Sequence, residues 1–221
     1  MASTNVPLRA TVGLTPTAAF ERFAGLCGMG AALVGFLYAI AFVILRSDLL
    51  SALFLLLGGA LSSAVLVALY GRLRPVEPGF ALWAMLLTVA GAVGSTIHGG
   101  YDLASTLHPP PNLPANAANP VDPRGLLTFG LVGLGVLVLA WLMRRGGGFA
   151  PGLGLLGYVL AVLLLLLYLA RLIVLDATSP LILVPALLTG FLVNPAWYLW
   201  LGVTLWTGRG LDQVADAPQP N

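Results

Sequence analysis

Few residues in this chain have side chains able to do chemistry, and they gather in three places. The first is Ser95-Thr96-Ile97-His98-Gly99-Gly100-Tyr101-Asp102. If a helix runs through it, Thr88, Gly91, Ser95, His98 and Asp102 follow at steps of three and four and share a face. His98 could then donate to the Asp102 carboxylate, ligate a metal, or work with Asp102 as an acid–base pair. If Gly99-Gly100 ends the helix instead, His98 and Asp102 do not stack, and a hydrogen-bonded interfacial histidine is the plainer reading. The second place is Arg171, flanked by Tyr168, Ala170, Leu172, Ile173 and Val174. A guanidinium in such surroundings costs roughly 2.5 kcal/mol or more at depth and less near an interface. It must pair with an acid, snorkel to water, or bind an anion or other ligand. Asp176 is about 140° round the helix and poorly placed, so Asp102 or Asp122 is the better partner. The third place is Asn194-Pro195. Proline has no amide hydrogen and crowds the carbonyl of Phe191, so a kink belongs there. Asn194 can satisfy a freed backbone group or bind something across the helices.

Six long apolar stretches must position these residues, at 23–45, 49–70, 80–97, 125–143, 152–175 and 181–206. Each has about 18 residues or more, the length a helix needs to cross ~30 Å of hydrocarbon. The chain is 59% hydrophobic and 8% charged, whereas a soluble domain carries about 25% charge. The fold class is therefore all-α: a polytopic membrane bundle of six transmembrane helices. Residues 1–22 form a cytoplasmic amino-terminal segment, 23–206 the bundle and 207–221 a disordered cytoplasmic tail. The outer loop, 98–124, carries Pro109, Pro110, Pro111, Pro114, Pro120 and Pro123, which favour extended geometry and an ordered cap over the bundle.

Orientation follows from arginine. With both termini inside, Arg9, Arg22, Arg72, Arg74, Arg144, Arg145 and Arg209 face the cytoplasm. Only Arg46, Arg124 and Arg171 face out, as the positive-inside rule asks. The expected location is a bacterial inner membrane. By this topology His98, Asp102, Arg124, Arg171 and Asp176 all fall at the outer boundary, where they can converge beneath the loop.

Small residues supply the helix contacts that lipid demands. The first span carries Gly28, Ala32, Gly35 and Ala39 on one stripe. Later spans carry Gly58-x-x-x-Ser62, Gly59-x-x-x-Ser63, Gly91-x-x-x-Ser95, and Gly130, Gly133 and Gly135. Thr15-Pro16, Asp122-Pro123 and Ser179-Pro180 read as caps with first-turn prolines. Cys27 is a packing residue.

Several chemistries are excluded. All ten basic residues are arginine, so no lysine can form a retinal or pyridoxal-phosphate Schiff base or serve a P-loop. One cysteine and two histidines rule out an intrachain disulfide and a Cys-rich metal site and offer no helical histidine pair for haem. No basic cluster suggests nucleic acid, and the sequence implies no cofactor. Its partners are the lipid bilayer and a membrane protein partner. Gly59-Ala60-Leu61-Ser62 has the look of an intramembrane serine protease motif, but no histidine on a later span could activate it.

The span order is similar to uncharacterised six-span bacterial membrane proteins grouped under a domain of unknown function. So are the phrases Ile97-His98-Gly99-Gly100-Tyr101-Asp102, Asn119-Pro120-Val121-Asp122-Pro123-Arg124-Gly125 and Arg171-Leu172-Ile173-Val174-Leu175-Asp176. That resemblance implies an inner-membrane bundle and brings no activity with it. Three functions fit: a non-catalytic binding, sensing or accessory subunit, a small-molecule transporter with a broken sixth helix, or an enzyme using His98 and Asp102. The first is the expectation, because mid-membrane polarity is limited to Ser62, Ser63, Thr88 and Asn194, with no charge.

Overall fold

The computed structural model describes residues 17–108, 125–146, 148–174 and 179–208. All their regular structure is helical, in six membrane-length helices: α1 (Ala18–Leu45), α2 (Asp48–Leu73), α3 (Pro78–Leu107), α4 (Leu126–Arg145), α5 (Pro151–Val174) and α6 (Pro180–Thr207). The chain is a multi-pass membrane protein. We call the end where α1 begins proximal and the opposite end distal.

The helix starts follow local chemistry. Thr17 caps α1, its hydroxyl accepting the Phe20 amide at 3.2 Å. Ser47 caps α2 directly after Arg46, which turns left-handed at φ 50°. Glu77 caps α3 by accepting the Phe80 amide at 2.6 Å, with Pro78 in the first turn. Ser179 stands at the α6 cap before Pro180, although its side chain accepts no hydrogen bond there. Thr15-Pro16, Asp122-Pro123 and the proline-rich part of the loop lie outside the described residues.

One boundary departs from the sequence reading. Gly99-Gly100 does not end α3, which continues to Leu107, so residues 98–107 belong to a helix rather than to the loop. Gly99 is there for packing. A β-carbon at that position would sit 2.6 Å from the Ala52 carbonyl of α2.

Each helix packs against its neighbours in sequence, and α1 closes on α6, making a ring. The α1–α6 joint is built from glycine. A β-carbon on Gly202 would lie 2.6 Å from the Met29 amide nitrogen, and one on Gly25 2.6 Å from that of Trp206. Gly28 faces Gly202, Gly35 faces Asn194 and Ala39 faces Gly190, so the predicted α1 stripe is the α6 contact. Cys27 is buried, as expected of a packing residue.

The two ends of the ring differ. Its largest fully buried side chains include Trp197, Leu69, Leu139, Leu153 and Leu201, all in the proximal halves of their helices. The distal halves instead hold three π-helical segments, Ile40–Leu45, Leu126–Leu131 and Thr189–Val193. The last ends directly before Asn194-Pro195. A wider turn is one way to accommodate a proline ring that clashes with an ordinary i−4 carbonyl. At the position where a kink is expected, α6 carries a π-helical turn.

Candidate functional site at the distal end

Because α3 continues, His98 and Asp102 stand one turn apart on the same face. His98 Nε2 lies 2.9 Å from Asp102 Oδ2, with both side chains partly exposed. The rest of the predicted stripe is used locally. Thr88 donates to the Ala84 carbonyl at 2.8 Å and Ser95 to that of Gly91 at 3.0 Å. Such back-bonding within a helix satisfies the hydroxyls without a ligand.

Arg171 extends from the distal end of α5 as an exposed side chain. Its guanidinium carbon lies 6.0 Å from the centre of the Phe129 ring of α4, at the limit for a cation–π contact. Among the described residues no carboxylate reaches ion-pair distance of Arg171. Arg124 and Asp176 lie outside the described residues.

Tyr38 of α1 was not singled out in the sequence, and it too lies in the distal half of its helix. Its phenol lies within electrostatic reach of both Arg171 and Asp102, and its ring stacks on Phe42 with centroids 5.8 Å apart. Side chains from α1, α3 and α5 thus approach one distal region. An aromatic in an apolar run gives no warning of such a role. Tyr101 does not join them: it is 58% exposed on α3.

Asn194 lies deeper. Its backbone amide donates to the Thr189 carbonyl, closing the π turn, and its side-chain amide faces Gly35 of α1. Gly35 precedes Tyr38 by three residues, or about 4.5 Å along the helix axis.

No protein-family model, curated protein sequence or solved structure matches this chain. A histidine–carboxylate pair, a phenol and a nearby guanidinium can hydrogen-bond a polar or anionic group at the membrane boundary. Among the described residues, no three His, Cys, Asp or Glu side chains gather as a metal centre would require.

A second polar contact, absent from the sequence reading, sits at the proximal end. Glu21 of α1 and Arg72 of α2 form a bidentate pair, with Nε–Oε1 at 3.1 Å and Nη2–Oε2 at 2.8 Å. Both side chains are below a tenth exposed, and Arg72 also lies over the Phe149 ring. It fastens two helix ends together.

Proposed function

We propose that the chain is a non-catalytic membrane subunit that binds or senses a polar or anionic group at its distal end. The observation that carries this reading is the packing asymmetry. The largest fully buried side chains fill the proximal half, while the His98–Asp102 pair and Arg171 stand at the distal end. A transporter must open such a core to each side in turn, and a binding or accessory subunit need not.

Arginine placement supports the proximal end as cytoplasmic. Arg22, Arg72, Arg74, Arg144 and Arg145 lie at that end, against Arg46 and Arg171 at the other. With six spans this orientation puts both termini in the cytoplasm, in an inner membrane.

Single cysteines in a Cys27→Ser background test the reading. Ala68, Ala84 and Ala140 are fully buried, so cysteine at each is expected to resist a membrane-impermeant maleimide from both sides. Cysteine at Asp102 is expected to react from the distal side. Labelling of Ala140→Cys from either side would replace this reading with a transport cycle. Native mass spectrometry of the detergent-purified chain then asks what the distal end holds. Retention of a small molecule or partner that disappears on Asp102→Ala is the expected result.

A further inference from the structure

The described residues of α4 are the most enclosed in the ring, with 44% of its most apolar stretch buried against 22–39% in the other helices. Glycine is the reason. Gly133 meets Leu164 and Leu165 of α5 on one side, and Gly135 meets Thr88 and Ala84 of α3 on the other. Lacking side chains at these contacts, α4 sinks between its neighbours. Its outward face becomes the floor of a groove whose walls are α3 and α5.

That groove is apolar and has a charged mouth. Phe80, Leu137, Val138, Trp141 and Tyr158 line a volume of about 310 Å³, within the range of roughly 300–1,000 Å³ common for small-ligand sites. Phe80 and Trp141 meet edge to face across it, with centroids 5.2 Å apart. At its proximal mouth the Arg145 guanidinium lies 4.7 Å from the centre of the Trp141 ring. The exposed Arg144 runs its aliphatic stem along Gly154. The neighbouring carboxylate, Glu77, is engaged by the Phe80 amide at 2.6 Å. Two exposed guanidinium groups therefore stand where an apolar groove meets the membrane surface.

We infer that this groove is a binding site for one anionic phospholipid of the proximal leaflet. An acyl chain lies on Leu137 and Val138, and the phosphate is held by Arg144 and Arg145. Guanidinium groups suit phosphate because their planar donors match its oxygens. Charge complementarity selects this occupant over a second protein helix, whose apolar face would leave both arginines without a counter-charge. The site is separate from the distal cluster and does not depend on the function proposed above.

The experiment is native mass spectrometry of the full-length protein with equal amounts of phosphatidylglycerol and phosphatidylcholine. The wild-type chain is expected to retain one phosphatidylglycerol with about tenfold preference. Arg144→Gln with Arg145→Gln is expected to bring the two lipids to parity. Arg22→Gln removes a proximal charge from the other side of the ring and is expected to leave the preference unchanged. Leu137→Trp fills the groove without altering charge and is expected to reduce phosphatidylglycerol retention. Parity in the wild-type chain, or an equal loss in Arg22→Gln, would overturn the inference. So would full retention in Leu137→Trp.

Discussion

Arg72 and Arg171 both occupy the last turn of an apolar helix, yet their neighbours differ. Arg72 is buried in a bidentate pair with Glu21, whereas Arg171 is exposed and rests over a ring. Glu21→Gln removes the carboxylate that Arg72 pairs with in this buried site and is expected to cost about 3–5 kcal/mol. Replacing both with methionine should recover most of that loss. Arg171→Gln forfeits a solvent-facing cation–π contact and should cost no more than about 1 kcal/mol. Thermal unfolding in one detergent ranks the three variants; equal losses for Glu21→Gln and Arg171→Gln would contradict the assignment. The Glu21 contact was legible, although the sequence reading missed it. The tight turn at Arg46-Ser47 makes α1 and α2 a hairpin, so residues equally far from the turn meet. Gly30 faces Leu61, Val34 faces Gly58, and the same register brings Glu21 to Arg72. Tyr38 was not legible, because its electrostatic proximity to Asp102 and Arg171 depends on three helices whose relative rotation no local pattern fixes.

Helices were legible at the element scale because apolar length reports them directly. Their ends were harder to read. Two adjacent glycines weaken a helix in water by roughly 1 kcal/mol each relative to alanine. In lipid an opened backbone has no water to bond, and close packing rewards the missing side chain. Hence α3 runs through Gly99-Gly100 and brings His98 onto Asp102. Glycine stripes also differ in tolerance. Gly35→Ala would meet the Asn194 side-chain nitrogen at 3.1 Å, whereas Gly202→Ala would meet the Met29 backbone nitrogen at 2.6 Å. A side chain can move where a packed backbone resists. Gly202→Ala should therefore lose about 1–3 kcal/mol and Gly35→Ala less than about 1 kcal/mol. Denaturant unfolding of the two variants in micelles checks the order, and a costlier Gly35→Ala would refute it.

Over the whole molecule, aromatic and charged residues mark the membrane boundary. Trp83, Trp200 and Trp206 are exposed in the proximal halves of their helices, as interfacial anchors are. With that end cytoplasmic, a cysteine at Ala150 should react with an impermeant maleimide only in inverted vesicles. One at Asp48 should react only in intact cells. The reverse pattern would invert the orientation. Sequence supplied this axis through arginine counts, but it could not supply the packing asymmetry, which depends on which helices become neighbours.

The order of helices round the ring also bears on how the protein is made. Five joints connect consecutive helices, and the α1–α6 joint alone unites the two ends of the chain. During synthesis each hairpin can settle against the one before it, at little cost in loop closure. The growing bundle is then an open horseshoe, with the glycine face of α1 turned to lipid until α6 is inserted. Completion of the last helix acts as a clasp, and a chain halted before Gly202 would offer that bare face to quality-control proteases.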